Sequence, residues 1–272
     1  MRGAMGILAI NRIYAALSAL VLAFVLLPLV AIVWVSFFAN RILSFPATGY
    51  TFSWYVRAWE QEAFRNGFIT SVETALVAVA ISLVLGVPAS LALVRYRFPG
   101  RDAIQTVLLS PMVVPGIVGG AALFMAFIEL EVLLDVEIAG TLPGLLIAHG
   151  LIALPWTVRL VTASLVGMSP SYEEAARSLG AGVLTTFFRV TLPIIKPGIV
   201  AAALFSFVVS FIDLEKSIFL VGPGRTTLQI ALVSYLEWNL DSTVAAVATV
   251  QILIIGALLI ASDRYARLAR AF

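Results

Sequence analysis

The sequence predicts an all-α polytopic membrane protein with six transmembrane helices and both termini in the cytoplasm. Three observations carry this prediction. The 272-residue chain is 61% hydrophobic and 12% charged, where a soluble domain is ~25% charged. A water-soluble protein of this size could not hide so much apolar surface. The charged residues are also confined between long uncharged runs, and the basic ones gather at alternate run ends. Together these features exclude an ordinary soluble enzyme, a disordered chain and a disulfide-stapled module. With no cysteine, thiol catalysis and cysteine-ligated zinc or iron–sulfur chemistry are excluded as well.

Uncharged runs fall at 13–40, 74–94, 103–128, 138–158, 197–212 and 242–262. A helix crosses the ~30 Å hydrocarbon layer in about 20 residues. Five runs reach that length, and the fifth, 197–212, reaches it by continuing through Asp213, Glu215 and Lys216. Helices satisfy their own backbone, and the runs lack the alternation of barrel strands. The first run has 28 residues; a cleaved signal has a core of about 7–15, so this run is expected to remain as a span. Between the first two runs, residues 41–66 carry Trp54, Tyr55, Trp59 and Phe64, the composition of an interfacial helix. Arg95 to Arg101 is a tight turn. Pro28, Pro88, Pro111, Pro115 and Pro155 lie in or near spans, where they kink helices.

Orientation follows from basic residues near span ends. With the N-terminus inside, Arg2, Arg12, Arg95, Arg97, Arg101, Arg159, Arg177, Arg189, Lys196, Arg264, Arg267 and Arg270 face the cytoplasm. Arg41, Arg57, Arg65, Lys216 and Arg225 remain outside. The outer acids include Glu129, Glu131, Asp135 and Glu137, which read as a solvated loop or as a patch that steers a cationic solute or its binding protein.

The informative segment is the long inner loop of about 165–196. Ser169 before Pro170 is one helix start, an N-cap followed by proline at the first helical position. Ser171 with Glu174 three residues on is another, a capping box. Glu173 and Glu174 suit the first turns, and Gly180 suits a left-handed end. A short helix standing between two spans, with small alanines exposed, is the result.

The longer pattern is more specific. Glu174-Ala175-Ala176, Gly180, Val190 and Leu192-Pro193 resemble the EAA loop of ABC importer permeases, with Pro197 at a second proline position. The stretch from about 66 to 262 is similar to the transport domain of type I importers. Pro111-Met112-Val113-Val114-Pro115-Gly116 and Gly222-Pro223-Gly224 echo the same family, especially its spermidine/putrescine branch. Gln229 after Leu228 departs from the proline that many relatives have there.

The resemblance implies a type I ABC importer permease fold. Residues 1–65 would form an N-terminal span with an outer interfacial segment, and residues 66–272 a five-span transport domain. Glu173, Glu174, Ala175, Ala176 and Gly180 would couple the chain to a cytoplasmic ABC ATPase dimer, which binds ATP–Mg; this chain would bind no cofactor and no metal. Further implied partners are a second, homologous permease as heterodimer, a periplasmic or extracellular solute-binding protein and the lipid of a bacterial inner membrane, with no nucleic acid. Polyamines lead the implied substrates, ahead of amino-acid derivatives, aminophosphonates and ferric iron.

For the solute pathway the sequence offers Asp213, Glu215 and Glu73, since charges at membrane depth mark function. Helical spacing pairs Asp213 with Lys216 and turns Glu215 away. Glu73, just inside the second span, is set to snorkel outward. His149, the single histidine, reads as a satisfied packing residue. No phosphate loop, nucleophile elbow or zinc helix is present, so the chain is expected to be no enzyme by itself. The competing readings are an ion-driven secondary transporter, which calls for inverted repeats and broken helices, and a membrane scaffold, which needs no Glu-Ala-Ala helix.

Overall fold

The structure, a computed structural model, describes residues 2–42 and 44–271, with side chains over 11–42 and 44–264. Of the basic residues that set the expected orientation, Arg2, Arg267 and Arg270 lie outside the described side chains. The described residues form helices and no strand; Phe38 and Tyr50 make an isolated bridge. Six helical segments are long and apolar enough to cross a bilayer: Asn11–Val35, Glu62–Arg95, Gly116–Leu134, Leu142–Val166, Val183–Phe211 and Thr243–Arg264.

The chain divides into two compact units. The first joins Met1–Gln61 to Tyr235–Ile254. It holds α1 (Arg2–Val35), the short α2 (Ser53–Glu60) and the first turns of α12 (Thr243–Ala271). After α1 the Asn40 side chain gathers the loop, donating to the Ser44 and Pro46 carbonyls and accepting from Thr48 N at 2.7 Å. Trp54 of α2 is buried and donates to Phe38 O, whereas Trp59 is exposed. Arg57 pairs with Asp241 at 3.5 Å, and Asp241 accepts from the Tyr235 hydroxyl. Burial, reinforced by Asp241, pushes the Tyr235 phenol above its ordinary range.

The second unit comprises Glu62–Ser234 and Ile255–Phe272. Its centre is α3 (Glu62–Arg95), α6 (Leu142–Val166) and α9 (Leu192–Phe211), which pack on one another. Lipid is as apolar as leucine, so close packing and interhelical hydrogen bonds hold such a bundle. Both are present. A Cβ on Gly86 would stand 2.6 Å from Thr157 Cγ2, and one on Gly150 would stand 2.7 Å from Ile81; glycine lets α3 and α6 approach that closely. Ser82, Thr157 and Ser206, one from each helix and all fully buried, meet through hydroxyls 3.0–3.3 Å apart. Towards the end of α6, Val161, Leu165, Met168, Ile195 and Ala202 form a buried apolar cluster.

Three elements differ from the uncharged runs. The second span begins at Glu62, so Glu73 lies three turns along α3, roughly 16 Å from its start, rather than at its mouth. The third run divides: α4 (Arg101–Leu109) and a 3₁₀ turn at Ser110–Met112 precede α5 (Gly116–Leu134). Pro111 and Pro115 account for the break, because neither offers an N–H to continue a helix. Helix α5 then runs on through Glu129 and Glu131, which the sequence had assigned to a loop. Glu131 instead accepts the Ile138 and Ala139 N–H groups at 2.5 Å, folding the connection back onto its helix.

The fifth span is corrected most. It does not continue through Asp213; it extends backwards. α8 (Val183–Thr186), a π-helical turn at Phe187–Thr191 and α9 form one rod of 29 residues. The wider turn lets Leu192 N reach Phe187 O, which absorbs the donor missing at Pro193.

Candidate functional site

The candidate coupling helix is α7 (Ser171–Ser178). Pro170 stands at the cap position with no side-chain cap bond and the helix opens at Ser171, which corrects both starts read from the sequence; Ser169 Oγ accepts from Ser171 N at 3.4 Å. At the other end Gly180 has φ +86°. Gly180 N donates to Arg177 O and Ala181 N to Ala176 O, the paired bonds of a Schellman ending. A side chain on Gly180 would meet nothing within 4 Å, so the restriction there is conformational.

The residues of α7 divide by face. Tyr172, Glu174 and Ala175 are exposed, and Leu179 just beyond is 89% exposed. Ala176 is half-buried. Glu173 turns inward and is 6% exposed. Its carboxylate lies 2.9 Å from Arg95 Nε at the end of α3 and accepts from the Thr191 hydroxyl at 2.7 Å. Glu173, expected with Glu174 among the coupling residues, stands about 100° from it in helix phase and binds within the chain. Arg95 and Thr191 are the residues that sequence reasoning missed. Arg95 stood only as an inner-side charge, and the doubled Glu173-Glu174 beside a small-residue helix was the available signal.

The second candidate lies after Phe211, where α9 ends. Asp213 is not a helical residue. Its carboxylate caps α10 (Ser217–Leu220), accepting from Lys216 N, Ser217 N and Ser217 Oγ at 2.9–3.2 Å. Lys216 Nζ pairs with it at 3.5 Å, and the Asp213 side chain is 6% exposed. The ion pair expected from spacing is present, on a turn instead of a helix face. Ser217 Oγ also meets His149 Nε2, while His149 Nδ1 meets Ser210 Oγ at 2.7 Å. His149 is thus fully buried and satisfied at both nitrogens.

Glu215 is exposed and its carboxylate packs over bare Gly116 at the start of α5. Lys216 and Gly119 wall an apolar cavity of about 490 Å³ with Pro111, Leu123 and Ile152. Glu73 is exposed on α3. The structure brings Asp213, Glu215 and Lys216 to one break between helices, whereas Glu73 lies on a different element. No group of three or more metal-ligating side chains occurs among the described residues.

Comparison with known proteins follows this geometry. Residues 78–269 match the family described as binding-protein-dependent transport system inner membrane component. The putrescine transport system permease protein PotI of Escherichia coli is 30% identical over 86% of this chain and 82% of its own length. The spermidine/putrescine transport system permease protein PotC of Haemophilus influenzae is 29% identical over 91% of this chain and 93% of its own. Among solved structures, a bacterial ABC transporter involved in import of the acidic polysaccharide alginate superposes with TM-score 0.68 at 20% identity, over 94% of this chain and 97% of that one. Those relatives are transport permease subunits rather than catalytic enzymes. With its six apolar helices, the chain is a multi-pass inner-membrane protein similar to polyamine permeases, and it belongs to the inner-membrane-component family of binding-protein-dependent ABC importers.

Proposed function

We propose that this permease couples to a cytoplasmic ABC ATPase dimer through α7 and passes a polyamine or similar small organic amine. The observation that carries the coupling is α7 itself. It is a short helix between two spans, ended by Gly180, whose Glu174 and Ala175 are exposed with Leu179 just beyond them, and it is held from behind by Glu173. Exposed alanine admits a close neighbour, Glu174 offers a carboxylate to a basic partner, and Gly180 aims the chain away. ATP and Mg would bind on the ATPase, and closure of that dimer would move α7 as a rigid body.

On this reading residues 66–272 form the transport domain, joined by a second homologous permease in a heterodimer and fed by a solute-binding protein. The inner face, with α7, is the basic one. Polyamine specificity rests on the two curated relatives, PotI and PotC, whose names specify putrescine and spermidine/putrescine. Glu215, exposed at the helix break, is the acid best set to meet an ammonium; Asp213, buried against Lys216, and Glu73 on α3 are weaker candidates.

The test is co-expression with the ATPase, second permease and binding protein of the same transport system in cells lacking polyamine uptake. The expected outcomes are co-purification of the ATPase and ATP-dependent uptake of labelled putrescine or spermidine. Failure of the ATPase to co-purify overturns the coupling. A binding protein whose melting temperature rises with anions and not with amines overturns the substrate.

A further inference from the structure

We propose that Arg95, Glu173 and Thr191 form a joint that locks α7 to the ends of α3 and α9, so that α3 and α7 travel as one body. The proposal deepens the coupling reading and rests on it. At its C-terminal end α7 runs into Gly180 and Gly182, with nothing within 4 Å of a Cβ on either, and at its N-terminal end residues 167–170 join it to α6 with only Met168 buried. Joined by chain alone, an eight-residue helix between such ends would tilt under load.

The side chains remove that freedom. Arg95 Nε lies 2.9 Å from one Glu173 oxygen, and Arg95 Nη2 donates to Met168 O at 3.5 Å. The other Glu173 oxygen accepts from Thr191, the last residue of the π-helical turn. One carboxylate therefore ties the coupling helix to α3 and to the rod containing α9, while Arg95 also holds the entry into α7. The pair is largely screened from solvent, with side-chain exposures of 15% and 7%. Removing one partner would leave a buried charge uncompensated. Arg95 and Glu173 are positioning residues: the surface offered to a partner is Glu174 and Ala175, and the joint fixes its angle.

The test measures motion rather than rate and requires no known solute. The chain has no cysteine, so spin labels at Ala92→Cys in α3 and Ser178→Cys in α7 report the α3–α7 separation in the assembled transporter, with partner cysteines replaced. The expected result is one narrow distance, the same without nucleotide and with Mg–ATP. In Arg95→Gln/Glu173→Gln that distance broadens and shifts with Mg–ATP. Thr191→Val, which removes one hydroxyl and no charge, gives a smaller broadening and serves if the double variant does not assemble. A nucleotide-dependent shift with the joint intact overturns the proposal. So do variants whose distance stays as narrow as in the parent. Loss of ATPase co-purification from the parent chain would instead strike the coupling reading, which separates the two failures.

Discussion

Glu173 and Glu174 are chemically identical neighbours that the fold puts to different uses. One is buried against Arg95 and Thr191, and the other is exposed. Composition cannot separate them, because the difference is a helix phase relative to side chains far along the chain. Gly180 is the opposite case, a residue whose backbone role the sequence states. Gly180→Trp is expected to leave insertion intact while uncoupling ATP hydrolysis from uptake; normal uptake in vesicles would sink the coupling assignment. Asp213 is subtler. Spacing found its partner Lys216, but its main work is capping α10. Asp213→Ala should cost about 3 kcal/mol, since it strands a largely buried lysine and removes a cap. Asp213→Asn should keep part of the cap and cost less. Equal thermal unfolding of both variants and the parent in nanodiscs would contradict this.

At the scale of elements, uncharged runs located the spans and misplaced several of their ends. A run ends at a charge, whereas a helix ends where its backbone loses a partner. Helices α3 and α5 therefore pass through glutamates, and α9 stops at Phe211, before any charge. The π-helical turn is the least legible piece. It holds one residue more than the α-helical path and absorbs it in its wider winding, whereas an alanine inserted after Thr191, in regular α-helix, would rotate the preceding segment by about 100°. That rotation would take α7 away from Arg95. The expected outcome is a chain that still inserts but no longer retains the ATPase, read by co-purification. Retention of a full complement of ATPase would show that the winding of this rod does not set the α7 position.

For the molecule as a whole, the second unit depends on contact among α3, α6 and α9. Thr157→Val breaks the hydroxyl trio and should lower stability by about 0.6–1.7 kcal/mol, the range for interhelical hydrogen bonds in bilayers. Gly150→Leu forces α6 off Ile81 and should cost about 1–3 kcal/mol through overpacking. Steric-trap or detergent unfolding ranks the two, and a Gly150→Leu protein as stable as the parent would refute the close-approach account. The composition, 61% hydrophobic with 12% charged, determined by itself that the chain lives in a bilayer, and the positions of its few charges sharpened that into six helical spans. Local spacing also determined where the short helix α7 lies and how Gly180 ends it, because helix formation and termination depend on neighbours within a turn. Only the tertiary structure decided that Glu173 faces inward, that Asp213 caps a turn and that the fifth span reaches back to Val183. Those outcomes depend on side chains that packing brings together from distant parts of the chain, and on backbone partners that no single run contains.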